Sequence, residues 1–355
     1  MNNYHNSVLL QQVLDNLGIY TVGIYTSGIY TSGIYTKNGD TGNISKERIY
    51  VDMTLGGGGV SLKIIENLQQ GGFRKATLVS IDVDNDACLN FRKLLDKHFK
   101  NIKDMNTYIL VGDVRVYIVN SNFRNIKSIL SGINIESKVN GIVYDLGLSS
   151  FQIDNSDKGF SYIENSDLDM RMDKNLKVKA SDLINGLYED ELYNIFKKYG
   201  EEPFSRIIAK NIIKKRKEKE IVKSDELVKI ISYSVKIPLK KELESRNKAY
   251  LYHHVSRIFQ ALRIAVNDEL GALFDSLHQV PEILEHGGRV EIISFHSLED
   301  RIVKNFFNGS RSNEYRSGGN KEFISLYKKP IVPETMEIEK NKRARSAKLR
   351  VYEKK

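Results

Sequence analysis

Cysteine is almost absent from this chain: Cys88 is the only one in 355 residues. That excludes a disulfide framework and any zinc site built from several thiolates, and it fits a reducing compartment. No metal site is expected. The surrounding Asn85-Asp86-Ala87-Cys88-Leu89 reads as a helix face, so the thiol is expected to be packed and inert. Long apolar runs are missing too. No stretch approaches the roughly 20 residues that a membrane span needs. Residues 1–6 lack the basic region and apolar core of a signal peptide. The expected compartment is the cytoplasm, with no membrane partner.

Two well-defined nucleotide fingerprints are also absent. An expected strand, Ile49-Tyr50-Val51-Asp52-Met53, leads through Thr54-Leu55 into Gly56-Gly57-Gly58-Gly59, and a helix is expected from Val60 to Leu68. A dinucleotide site needs a third glycine for close helix–strand packing, but that place falls on Ser61 or Leu62. A P-loop needs Gly-Lys followed by Ser or Thr, which the run lacks. What is present is a second apolar strand ending in acid, Leu78-Val79-Ser80-Ile81-Asp82. Strand, glycine turn, helix, strand, acid is the order in which a doubly wound α/β fold holds a nucleoside. The glycines let backbone approach the ligand, and the acid accepts hydrogen bonds from ribose hydroxyls. With no phosphate-binding residue, the pattern suits a ligand with a ribose and a positive charge, for which S-adenosylmethionine is the leading candidate. Alone, the run is equally compatible with a glycine-rich surface turn.

Negative charge is scarce in two stretches. The formal net charge is +9, of which residues 206–248 carry a local +8 and residues 340–355 a local +7. A mildly acidic body with two basic patches is the footprint of a polyanion binder. The first stretch alone reads more readily as a solvated lysine-rich helix. Arg343, Arg345, Lys348 and Arg350 in the tail turn the balance toward RNA or DNA.

The chain is long enough for one large core and a smaller second one. After an N-terminal segment, 1–17, residues 18–36 repeat a five-residue GIYT-containing unit. An odd period turns successive copies to opposite faces of a strand and fits no helix, so 18–47 is expected to be an extended insertion and linker without a functional role. A first core half, 48–151, has expected strands near 49–53, 78–82, 108–112 and 141–145. Amphipathic helices then replace strands over 152–250, at Asp182 to Lys198, Ser205 to Lys219 and Ser224 to Val235. The second core half, 251–355, is expected to hold a helix from Ser256 to Leu284, a stop at Gly287-Gly288 and a strand from Arg289 to Ser294.

In open α/β sheets ligands bind beyond the carboxyl ends of the strands. That rule gathers Asp52, Asp82 and Asp145 around one crevice, with Gly112-Asp113-Val114 as a further lip. Each acid alone could instead be a helix N-cap, but the shared edge favours the site reading for Asp82 and Asp145.

Several longer motifs follow: Asp145-Leu146-Gly147-Leu148-Ser149-Ser150-Phe151-Gln152, Lys158-Gly159-Phe160-Ser161, and Leu168-Asp169-Met170-Arg171-Met172-Asp173. Later come Phe259-Gln260-Ala261-Leu262-Arg263-Ile264, Ser294-Phe295-His296-Ser297-Leu298-Glu299-Asp300-Arg301 and Arg343-Ala344-Arg345-Ser346-Ala347-Lys348-Leu349-Arg350. Together with the glycine run, these resemble the bacterial small-subunit rRNA methyltransferase H family, also called MraW, over nearly the whole chain except 18–47. The resemblance implies a Rossmann-like, S-adenosylmethionine-dependent methyltransferase core with an inserted all-helical domain for substrate recognition. It implies methylation of N4 of a decoding-region cytidine, with 16S rRNA or the small ribosomal subunit as partner. It also implies cofactor contacts at Gly58, Gly59, Val60, Asp82, Val114, Asp145 and Gln152. The family carries a histidine where this chain has Val60, and an aromatic residue where it has Val114.

An amino methylation needs an acceptor for an amine hydrogen, and Asp145 or a carbonyl of the Leu146–Ser149 turn is the candidate. The Asn/Asp-Pro-Pro-aromatic motif of many amino-methyltransferases is missing. His5 and His296 read as structural hydrogen-bonders. A methyltransferase of another target, a nonenzymatic RNA-binding protein on the same scaffold and a nicotinamide oxidoreductase are the competing readings. The missing third glycine argues against the last. Oligomeric state is left open, with a homodimer one option.

Overall fold

The computed structural model describes residues 7–19, 47–71, 73, 75–149, 158–162, 165–237, 245–309 and 319–355. The GIYT repeat beyond Ile19, the linker up to Ser45-Lys46, His5 and Gln152 lie outside the described residues. The chain divides into two compact units, one of Met1–Ser149 with Ala272–Lys355 and one of Ser150–Gly271.

The first unit is built on a nine-stranded sheet in the order β3-β4-β5-β2-β1-β6-β7-β9-β8. The strands are β1 Arg48–Asp52, β2 Ala76–Asp82, β3 Ile102–Asp104, β4 Ile109–Val111, β5 Val114–Asn120, β6 Val139–Asp145, β7 Leu284–Ser294, β8 Phe323–Ser325 and β9 Lys348–Lys354. The middle five, β5-β2-β1-β6-β7, pair in parallel, and antiparallel pairs flank them on both sides. Apolar residues on both faces of β1, β2 and β6 are buried, as helix-covered parallel strands require. This is the doubly wound α/β core that the sequence order implies.

Three expectations are corrected. The strand expected near 108–112 is not a parallel member of the sheet. It is the short β4, which turns back through Gly112-Asp113 into β5 as an antiparallel hairpin. Gly287-Gly288 do not stop a helix: they lie inside β7, where pairing with β6 jumps from Val139↔Leu284 to Gly141↔Arg289. The single helix expected from Ser256 to Leu284 is two, Ser245–Asn267 and Glu269–Ile283, with Asp268 in a left-handed conformation (φ 49°) between them. Residues 251–271 therefore belong to the helical unit, not to the second core half.

The second unit packs Ala180–Gly186, Glu189–Gly200, Ser205–Arg216, Ser224–Ser234 and Ser245–Asn267 around Ile184, Leu192, Phe196, Ile208, Ile212, Leu227, Ile231, Val255 and Leu262. The expected helix from Asp182 to Lys198 breaks at Leu187-Tyr188, where Glu191 caps the next helix by accepting from Tyr188 N at 2.7 Å. Two of the long motifs are structural here. Asp169 holds Arg171 through two side-chain contacts of 2.6 and 2.7 Å, and Asn267 clamps the same loop by accepting from Met172 N and donating to Met170 O. In Phe259–Ile264 the apolar residues are buried, while Arg263 reaches Glu269 across the helix break at 2.8 Å. Glu202 and His254 form a buried pair at 2.9 Å.

Candidate active site

The carboxyl ends of the parallel strands bring together Asp52 (β1), Asp82 (β2), Asn120 (β5), Asp145 (β6) and Ser294 (β7). The glycine turn after β1 fits between them for a steric reason. Gly56 (φ 50°) lies so close to the Leu146–Ser149 turn that a Cβ there would sit 3.1 Å from Ser149 Cβ. Gly58 (φ 80°) caps the helix Gly59–Gln70, and a Cβ on it would strike the Phe91 ring at 2.4 Å. Both take backbone conformations that L side chains rarely adopt. The helix start behind them presents amide donors without intrahelical acceptors, together with the positive end of its dipole.

Asp82 Oδ2 accepts from Gly56 N at 2.7 Å, and Oδ1 accepts from Asp84 N at 2.8 Å. Each carboxylate oxygen has a second lone pair, so the group can still receive ribose hydroxyls. Burial raises its pKa to about 6, against the two backbone donors and with the charges of Asp84 and Asp52 adding to the rise.

Asp145 N donates to Thr54 Oγ1 at 2.6 Å, which ties the two turns together. Its carboxyl Oδ1 is enclosed and has no hydrogen-bond partner among the described residues. Burial, with the nearby charges of Asp52 and Glu299, pushes Asp145 up to about 7. Phe295, after β7, lines the far side of this turn: a Cβ on Gly147 would lie 3.6 Å from its ring. Glu299 and His296 form a reciprocal cap at the start of the helix Ser297–Asn308. His296 Nδ1 accepts from Glu299 N at 3.3 Å, and Glu299 Oε2 accepts from Phe295 N at 2.8 Å.

Two of the expected site residues are elsewhere in role or place. Asp52 is fully buried, and both oxygens are engaged, Oδ2 by Ser61 Oγ at 2.7 Å and Oδ1 by Thr54 N at 3.1 Å. Ser61 Oγ also meets Ser80 Oγ at 2.7 Å, so Asp52 fastens the glycine turn to its helix instead of facing a ligand. Burial lifts its pKa to about 6. Val114 is farther off. It begins β5, opposite Ala76 at the start of β2, and is buried. Six residues of strand separate Ala76 from Asp82, about 20 Å at roughly 3.3 Å per residue. Val114 therefore stands at the opposite edge of the sheet and cannot touch a ligand that touches Asp82.

The hairpin that displaces Val114 brings other residues to the edge. Asn120 ends β5 and donates to Asp82 O and Val83 O, both at 3.0 Å. Phe123 follows in a single 3₁₀ turn, its half-buried ring edge-on to Tyr144 at 5.8 Å. The alternation in Val114–Asn120 and the two-residue Gly-Asp turn before it were the signals that could have found both. Val60 buries its side chain in the core and offers only its amide, beside that of Gly59 at the helix start, since the Gly58 amide donates to Leu55 O at 2.7 Å. Cys88 is buried, and its thiol is pushed up to about 12, the state of an inert side chain.

A nucleoside with a cationic arm fits this edge. The glycines leave room for it, Asp82 suits a ribose diol, and the unpartnered Asp145 oxygen suits a donor or a cation. Comparison with known proteins gives the same class. Residues 2–355 match the family model described as MraW methylase. The chain belongs to the MraW methylase family. Proteins named Ribosomal RNA small subunit methyltransferase H resemble it along most of their length. The one from Clostridioides difficile is 36% identical over 362 residues, covering 100% of both chains. The one from Brevibacillus brevis is 40% identical over 325 residues, covering 88% of this chain and 93% of that protein. The one from Caldicellulosiruptor saccharolyticus is 42% identical over 320 residues, covering 86% and 92%. Phe123, not Val114, lies just past the carboxyl end of β5, on the side of the sheet where Asp82 and Asp145 stand.

Two of the four tail cations, Lys348 and Arg350, differ from expectation as well. Arg350 grips Asp300 with contacts of 2.7 and 3.2 Å, Lys348 adds a third at 3.5 Å, and these cations hold Asp300 below the usual carboxylate range. Both cations sit on β9 and are used by the fold.

Proposed function

We propose that this chain transfers a methyl group from S-adenosylmethionine to the exocyclic N4 of a cytidine in the decoding region of 16S rRNA, on free rRNA or on the small ribosomal subunit, in the cytoplasm. The convergence of Gly56, Asp82 and Asp145 at one sheet edge, in a chain of a methylase family, carries this reading. The relatives' names support rRNA of the small subunit as the substrate. Among the described residues no helix is long and apolar enough to cross a membrane.

S-adenosylmethionine supplies an electrophilic methyl group on a positively charged sulfur. Asp82 would bind the ribose hydroxyls, the amides of Gly59 and Val60 would meet polar groups of the ligand, and Phe123 would offer a ring to the adenine, while the Gly58 amide is used within the turn by Leu55 O at 2.7 Å. Asp82 and Asp145 favour a cationic ligand over the neutral thioether left after transfer, which helps release. The cytosine amine is a poor nucleophile because its lone pair is spread into the ring. The Asp145 carboxylate accepts one amine hydrogen, which favours pyramidal nitrogen, and keeps that proton as the N–C bond forms. A base near pH 7 suits this step. Alignment of the reacting atoms supplies much of the remaining rate.

The test uses methyl-labelled S-adenosylmethionine with small-subunit rRNA lacking the mark and with large-subunit rRNA. Label in the first alone is the expected result. RNA binding without transfer would instead make the chain a nonenzymatic binder on a methyltransferase scaffold.

A further inference from the structure

The basic run at 206–248 separates into two populations once partners are assigned. Lys215 pairs with Glu218 at 3.0 Å, Lys219 with Glu226 at 2.8 Å, Lys223 with Asp167 at 2.7 Å and Lys229 with Asp225 at 2.6 Å. Arg216 donates to the carbonyls of Ile184 and Leu187, both at 2.7 Å, and so tethers a neighbouring helix end. These cations serve the unit's own structure. Lys210, Lys214 and Lys217 are different: all three are exposed and have no acidic partner among the described residues.

Their spacing is not random. With Arg206 they fall at i, i+4, i+8 and i+11 of the helix Ser205–Arg216 and its C-cap, within roughly a quarter of the helix circumference. The stripe is about 16 Å long at roughly 1.5 Å per residue. Lys214 and Lys217 lie at the helix C-terminus, where the dipole favours cations, but four like charges at this spacing on one exposed face also repel one another.

At the head of the stripe the Arg206 guanidinium lies over the Tyr193 ring, 4.1 Å from its centroid. Lys197 donates to Tyr193 Oη at 2.9 Å and fixes the ring's edge. Among the described residues Arg206 pairs with one acid, Asp190 at 3.4 Å, and the two side chains are 62% and 80% exposed, so that pair is weak. Stacking on Tyr193 thus orients the guanidinium while one of its planes stays open. A flat cation held at the end of a cationic stripe matches single-stranded RNA, whose bases stack on arginine planes and aromatic rings while its phosphates follow positive charge.

We propose that this face of the helical unit binds a single-stranded segment of the RNA substrate. Lys210, Lys214 and Lys217 track successive phosphates, and the Tyr193-supported Arg206 receives an unpaired base. The inference rests on the RNA-methylation reading above and names the surface through which it recognises its substrate.

The experiment measures binding of a short unstructured RNA against potassium chloride concentration, and methyl transfer to small-subunit rRNA, for the wild type, K210Q/K214Q/K217Q and R206K. Cofactor affinity is measured alongside as the control for folding. The triple variant is expected to lower the slope of log K against log salt by about 2, at roughly 0.7 per phosphate contact. R206K keeps the charge but loses the plane, and is expected to bind about tenfold more weakly, on the scale of one lost base stack. Transfer by both variants should fall through KM. A wild type that binds and methylates rRNA, with a triple variant of unchanged slope, would overturn this surface alone. Equal binding of a duplex would overturn its single-strand character. A wild type that neither binds nor methylates rRNA would overturn this inference and the proposed function together.

Discussion

Asp145 links the chemistry to the stability of the fold, and Asp145→Asn separates the two. The carboxyl is enclosed, and its pKa is raised to about 7 from 3.8. A carboxyl whose folded pKa is raised adds stability that is fully present below its unfolded pKa near 4 and is lost as pH rises through 7. At pH 8 the buried anion therefore costs the native state up to about 4 kcal/mol, at 1.36 kcal/mol per pKa unit. At pH 5 the folded carboxyl is protonated and most of that cost is absent. Asparagine cannot ionise, so the variant should gain on the wild type between pH 5 and pH 8. Allowing for relaxation of the site, the gain is about 2 kcal/mol, or ~5 °C in the unfolding midpoint. Methyl transfer should fall by at least ~100-fold at pH 8, where the wild-type carboxyl is ionised, the usual loss for a missing general base, and the gap should narrow at pH 5, where the wild-type carboxyl is itself protonated. Thermal melts without cofactor at the two pH values, with a transfer assay beside them, check both halves. Equal midpoint changes at pH 5 and pH 8 would refute the buried-anion argument. Unimpaired transfer would remove Asp145 from the chemistry.

Other outcomes follow from the same geometry. Asp82→Ala should weaken S-adenosylmethionine binding by about 1–3 kcal/mol, the worth of hydrogen bonds to a charged group, and calorimetry on the folded variant reads it directly. Wild-type affinity for this cation should fall as pH drops from 8 to 5.5, because Asp82 and Asp145 protonate near 6 and 7; a flat titration would contradict the assigned acids. Phe123→Ala should weaken cofactor binding, whereas Val114→Ala should lower stability by about 1–3 kcal/mol through a core cavity and leave affinity unchanged. Arg350→Gln should destabilise the fold by freeing Asp300, yet leave the salt dependence of RNA binding as it was; a reduced slope would return the tail to the RNA interface.

The parts of the site that could be read from sequence are those written in local order. A strand, a glycine turn and a helix put Gly58, Gly59 and the Val60 amide where they stand, and an acid closing the next strand puts Asp82 at the same edge. Asp52 looks identical to Asp82 in sequence, since both end apolar strands. Only the fold shows that Ser61, nine residues on, takes up its carboxylate. Val114 was misplaced because one residue pair, Gly112-Asp113, reverses the chain, and a reversal changes which edge every later residue reaches. The break at Asp268 carries no glycine or proline to announce it. Charge has a similar limit: summed along 206–248 it cannot tell lysines that hold acids from lysines left unpaired, and that difference depends on residues such as Asp167 far outside the run.

Nucleoside analysis of the product tests the account most directly. Small-subunit rRNA lacking the modification is incubated with the chain and S-adenosylmethionine, digested to nucleosides and resolved by mass spectrometry against N4-methylcytidine and 5-methylcytidine standards. The account predicts N4-methylcytidine from a single decoding-region position, absent with Asp145→Asn. A methyl group on carbon 5, on a ribose oxygen or on another base would contradict it, because the account places the exocyclic amine of cytosine, with its hydrogen on the Asp145 carboxylate, at the transferred methyl group.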